Sequence, residues 1–134
     1  MCIRDRDLSH PEGRELLLKL VGRANAVMEN FSGGVLPKLD LSYEIFKKVK
    51  EDIILLSIHA FGSSGPWEMF RAYGSTAEQS SGLPHVNGIS SDPPMMHHIA
   101  YGDAVAGLNG ASALLIALRP VSYTHLTLPT ICSV

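Results

Sequence analysis

Cysteine is scarce in this sequence, and its placement excludes more than its rarity does. The only two, Cys2 and Cys132, lie near opposite ends of 134 residues. The body between them therefore has no thiol for a disulfide, a nucleophile or a soft metal. An excess of one charge is lacking too: 11 Lys and Arg stand against 13 Asp and Glu, a net charge of -2. That balance leaves no basic footprint for nucleic acid or an anionic membrane surface. The longest apolar run, residues 104–118, is broken by Asn109 and Ser112. It falls short of the ~20 apolar residues of a membrane span, so a buried helix and no membrane partner are expected. The N-terminus has no apolar signal core, which points to a cytoplasmic setting.

Several common site signatures are also missing. Gly33-Gly34 makes no G-x-G-x-x-G, and Gly62-Ser63-Ser64-Gly65 lacks the Lys-Ser/Thr ending of a phosphate loop. Neither Ser63 nor Ser64 sits in a G-x-S-x-G elbow. His97 and His98 are adjacent, so their rings diverge on most backbones. No acidic or thiol cluster accompanies them, and no metal is expected.

The ends read differently from the middle. Residues 1–6 and 121–134 show no periodicity and resemble peptides translated from sequencing-adapter DNA. The expectation is a non-native stub and tail around a partial domain, residues 7–120.

What is present is an α/β pattern. Ser9, with Glu12 three residues on, has the spacing of a capping box. Leu17, Leu20, Val21 and Ala24 follow at helical spacing. Residues 26–28 read as a short strand, and residues 35–39 as a short helix after the turn at Asn30-Phe31-Ser32. Ser42 is placed to cap a helix with Tyr43, Phe46 and Val49 on its apolar side. Residues 53–58 are continuously apolar up to Ser57, as in a strand of a parallel sheet covered on both faces. A further helix is predicted over 76–81, a long loop over 84–94, and a last helix from near Asp103 to about Arg119. Helix, strand, helix, strand predicts a Rossmann-like domain with a parallel sheet and right-handed crossovers.

Asp103 is the residue on which function turns. An aspartate at a helix start reads first as a cap. Behind it, Ala106, Gly107, Gly110, Ala113 and Ala117 share its face and are all small. Such a face admits either another backbone or a flat ligand, so Asp103 is a cap or a nucleophile.

Several segments fall in a familiar order: Ser9-His10-Pro11-Glu12-Gly13-Arg14, Glu29-Asn30-Phe31, Ser57 to Pro66, Arg71-Ala72-Tyr73, and Gly102-Asp103 with Gly107. Together they resemble the class III CoA-transferase family, over about residues 7–119. The resemblance implies that Asp103 is the catalytic nucleophile. It attacks an acyl-CoA to form an aspartyl mixed anhydride and then an aspartyl-CoA thioester. It also implies that Asn30, Phe31 and Ser32 contact coenzyme A and that Lys38 lies near its phosphates. Arg71, Ala72, Tyr73 and Gly74 would line the CoA and acyl site. Coenzyme A enters as co-substrate, with a small carboxylic acid as the other partner, in an interlocked homodimer.

Two positions depart from the family pattern. Gly74 stands where many members carry an acid after the tyrosine, and His59-Ala60 replaces the commoner Ser-Gly. The family's early CoA-binding strand and its later glycine-rich loop lie outside the resembling segment. The 134 residues alone are therefore expected to be inactive, with the apolar helix partly exposed. Two alternatives stay open. One is the acyl-CoA racemases of the same fold, whose His-Asp pair Tyr73-Gly74 does not reproduce. The other is a non-catalytic α/β fragment.

Overall fold

The apolar run at residues 53–58 forms the centre of the protein. In the computed structural model, which describes residues 6–89, 91–97, 99–122 and 131–133, it becomes a strand whose every residue is buried. The elements run α1 (Pro11–Val21), β1 (Ala26–Glu29), α2 (Val35–Lys38), α3 (Tyr43–Val49), β2 (Ile54–Ser57), α4 (Gly74–Ser80), α5 (Leu83–Val86), α6 (Tyr101–Ser122) and β3 (Ile131–Ser133). The sheet order is β1-β2-β3 and both pairings are parallel. Ala26 pairs with Ile54 and Glu29 with Ser57. β3 comes from the tail that the sequence sets aside, beside Leu55 to Ser57.

Successive residues of a strand face opposite ways, and β2 uses both sides. Ile53 and Leu55 join Val21, Leu41 and Phe46 in a core closed by α1, α2 and α3. Leu56 and Ile58 lie on the other side, against Gly110 of α6. Burial on both faces is why the run is continuous rather than alternating.

The helix starts follow different rules. Ser42 caps α3, its hydroxyl accepting the Ile45 N–H at 3.3 Å. Ser9 does not cap α1, contrary to the capping-box expectation. The residue before the helix is His10, with no side-chain cap. Ser9 instead gives both its N–H and its hydroxyl to Asp7 Oδ1, at 2.9 and 2.6 Å. Ser9 lies one residue outside the capping position, since α1 starts after His10. The loop predicted over 84–94 instead opens in helix, at α5. Gly82, at φ +77°, turns the chain into α5.

α6 is longer than the apolar run implied. Its segment Tyr101–Arg119 is long and apolar enough to cross a membrane, with mean hydropathy 1.3. Its inner contacts are those of a layered α/β protein: Gly102 meets α4 and Gly110 meets β2. The buried helix expected from the apolar run is not what forms: among its described side chains only Gly110 is buried, and Leu108, Leu115 and Ile116 on its outer side are exposed, as in an apolar helix that is only partly covered.

Candidate active site

Parallel strands all end on the same side of a sheet, and their following loops gather there. Here the loop after β1 (Asn30 to Gly33) and the loop after β2 (from Ile58) face the start of α6. Between them opens a cleft of about 1100 Å³. Asn30, Phe31 and Ser32 form one wall; Arg71, Ala72 and Tyr73 form another; Asp103, Ala106 and Gly107 form a third. Seven of the nine site residues predicted from the sequence thus border one space. Gly74 is buried just behind that surface, its backbone against Asp103. Lys38 stands apart, exposed in the last turn of α2 and away from the cleft lining.

Asp103 is not a capping residue. It stands inside α6, in the first turn, and its side chain is exposed. Among the described residues its carboxylate takes no hydrogen bond and no ion pair. A carboxylate without partners, near the positive end of a helix dipole and open to a cleft, is free to react. Arg71 is likewise exposed and unpaired among the described residues. It is the one arginine on the cleft lining and offers a fork for phosphate or carboxylate.

The small face of α6 divides into three uses. A side chain at Gly102 would collide with the Gly74 carbonyl, at 2.6 Å. One at Gly110 would press on Ile58 Cδ1 at 2.9 Å. At Gly107 nothing lies within 4 Å, and that glycine borders the cleft. Helix packing and ligand access, the two meanings of a small face, occur on the same helix.

Two pairs, each a buried carboxylate with a histidine, also border the cleft, and the sequence did not point to them. Glu29, 7% exposed, receives the Phe31 N–H on Oε2 at 2.8 Å and lies 3.1 Å from His59 Nε2. It thereby ties the end of β2 to the Asn30–Ser32 turn. His59 Nδ1 is buried without a partner. Glu78, 2% exposed, takes the backbone N–H of His97 at 2.9 Å and its ring Nδ1 at 2.7 Å. The His97 backbone N–H is the main reason the Glu78 carboxyl is held below its ordinary value; burial opposes this, and the ring bond and ring charge assist. Residues 19 and 30 positions apart carry no periodic signal, so only the fold reveals these pairs. His98 lies outside the described residues. Among the described residues, no three His, Cys, Asp or Glu side chains gather as a metal would require.

Residues 6–125 match CoA-transferase family III. The chain is 33% identical over 114 residues to the succinyl-CoA–L-malate CoA-transferase alpha subunit of Chloroflexus aurantiacus, covering 84% of this chain and 27% of that protein. It is 30% identical over 112 residues to the formyl-CoA:oxalate CoA-transferase of Rhodopseudomonas palustris (strain BisA53), covering 84% and 26%. The structure of a CAIB/BAIF family protein from Brucella suis superposes with a TM-score of 0.84 at 30% identity, covering 96% of this chain and 33% of that one. The chain thus spans about a quarter of the length of the curated relatives it matches.

Proposed function

The chain belongs to CoA-transferase family III, and we propose that the whole protein moves coenzyme A between an acyl-CoA and a carboxylic acid, with Asp103 as nucleophile. One observation carries this reading. Asp103 is exposed and unpartnered at the wall of a cleft whose other walls are Asn30–Ser32 and Arg71–Tyr73.

The chemistry follows from a carboxylate in that place. An Asp103 oxygen adds to the thioester carbonyl and expels CoA thiolate, leaving an acyl–aspartyl anhydride. The thiolate then adds to the aspartyl carbonyl, releasing the first acid as its carboxylate and leaving an aspartyl-CoA thioester. The acceptor carboxylate attacks this thioester, and the same two steps run in reverse to give the new acyl-CoA and free Asp103. Backbone N–H groups of the first turn of α6 support the oxyanions. Gly107 leaves room for the acyl group, and Arg71 takes a phosphate or a distal carboxylate. Asn30, Phe31 and Ser32 contact coenzyme A. The interlocked homodimer implied by the family resemblance, and a cytoplasmic setting, complete the proposal, and size-exclusion chromatography of the whole protein tests the former.

The test is CoA exchange between a labelled carboxylic acid and an acyl-CoA, with hydroxylamine added to trap the acylated aspartate. The expected product is a hydroxamate at Asp103, found by mass spectrometry of its peptide. Asp103→Ala should lower the exchange rate by roughly 10³-fold or more. Normal exchange in that variant would remove the nucleophile role. Exchange of the α-hydrogen with deuterium, without CoA transfer, would instead favour a racemase. The 134-residue chain alone is proposed to give no hydroxamate.

A further inference from the structure

Glu78 is the most deeply buried charged side chain at the cleft, with none of its side chain exposed. Only Oε1 is used: it accepts from both the backbone N–H and the ring of His97. Oε2 is buried without a partner. A carboxylate in that position costs stability that an apolar residue would not, so the contact it makes calls for a reason.

A carboxylate can only accept, so the His97 ring donates from Nδ1. Its other nitrogen, Nε2, lies 3.2 Å from Asn87 Nδ2. The ring stacks on Tyr101, with centroids 4.9 Å apart and planes 19° from parallel. Tyr101 opens α6 two residues before Asp103. Glu78 and Gly74 are four residues apart on α4 and therefore share a face. At one end of that face Gly74 meets Asp103; at the other Glu78 holds His97. α4 thus grips the entry to α6 at two points.

We propose that Glu78 is a positioning residue for Asp103: by holding the main chain and ring of His97, it fixes the first turn of α6 and with it the place of the Asp103 carboxylate in the cleft. This rests on the reading of Asp103 as nucleophile.

The test compares Glu78→Ala with wild type in two assays. In the 134-residue chain, hydrogen exchange of the amides of residues 104–106 should quicken by about tenfold or more, while α1 and α3 keep their protection. Nitrogen-15 spectra should show the His97 ring leaving its Nδ1-protonated form. In the whole protein, kcat for CoA exchange should fall with KM for the acyl-CoA unchanged. Glu78→Gln, which keeps the size and an acceptor for the His97 N–H, should recover part of both effects. It also serves as the test variant if the alanine form does not fold. Unchanged exchange at residues 104–106, with the ring tautomer lost, would overturn the proposal, because the pair would then have no hold on α6. Faster exchange in Glu78→Ala, together with no Asp103 hydroxamate from the wild-type whole protein, would also overturn the positioning role, this time through the nucleophile reading, and leave Glu78 as a purely structural clamp.

Discussion

Gly74 packs directly against Asp103. A methyl group on Gly74 would lie 2.7 Å from the Asp103 nitrogen and 2.8 Å from its carboxyl carbon. The resemblance to class III CoA-transferases marks position 74 as a departure, since an acid often follows the tyrosine there. In this chain the packing of α4 on α6 leaves no space for one.

Gly74→Ala must therefore displace Asp103 or the start of α4. The expected loss is about 1–3 kcal/mol of stability, as for overpacking elsewhere. In the whole protein kcat should fall more than KM rises, since the nucleophile moves and most of the CoA wall does not. Urea titration and steady-state kinetics check both. An unchanged urea midpoint would mean that the two helices separate without cost.

Gly107 and Gly110 share one helix and should respond oppositely. Gly107→Ala meets nothing within 4 Å and gains helix propensity, so stability should rise by about 0.5–1 kcal/mol. Gly110→Val presses on Ile58 Cδ1 and Leu56 Cδ2, 2.9 and 3.4 Å from the first added carbon. It should lose about 1–3 kcal/mol. Paired denaturation curves read the difference in sign. CoA exchange should weaken in the stabilised Gly107→Ala protein as well, because its methyl group enters the cleft.

Two serines that look alike in the sequence should also separate. Ser42→Ala removes the cap of α3 and should cost about 1 kcal/mol. Ser9→Ala loses only an exposed bond to Asp7 and should cost less than about 0.5 kcal/mol. Equal losses would contradict the helix start at His10.

Acid stability should depend on Glu78. Its carboxyl is held below the ordinary 4.5, first by the His97 backbone N–H. Such a group binds fewer protons in the folded state, so its contribution is complete above pH 4.5 and is lost as pH falls through the folded value. The stability gap between wild type and Glu78→Gln should thus be widest near neutrality and narrow below pH 4.5. Asp7 and Glu15 are also held below their ordinary values, by Ser9 and Lys19 respectively. Both variants contain them, so the difference isolates Glu78. A gap independent of pH would show that the charge of Glu78 contributes nothing.

Much of the framework was readable in advance, residue by residue. The unbroken apolarity of Ile53 to Leu56 announced a strand covered on both faces, and the parallel pairing to β1 bears that out. Ser42 announced its helix because it stands at the N-cap itself, where its hydroxyl oxygen accepts the Ile45 N–H. Ser9 misled because the helix starts one residue later, with His10 rather than Ser9 at its N-cap. Asp103 reads in the sequence as a helix start, whereas it stands in the first turn of α6. That difference matters, since a capping carboxylate is occupied and this one is free. Glu78 and His97 gave no signal, because neither spacing nor composition links α4 to the segment before α6.

The sequence by itself determined α1, α3, α6, the two strands β1 and β2 and the nucleophile candidate, because periodicity, turn chemistry and ordered motifs are local properties of the chain. Tertiary structure alone decided which small residues of α6 pack and which leave space, and which buried carboxylate holds the helix that carries Asp103. Those outcomes depend on distances between segments far apart along the chain, and such distances exist only once the sheet and helices have closed on one another.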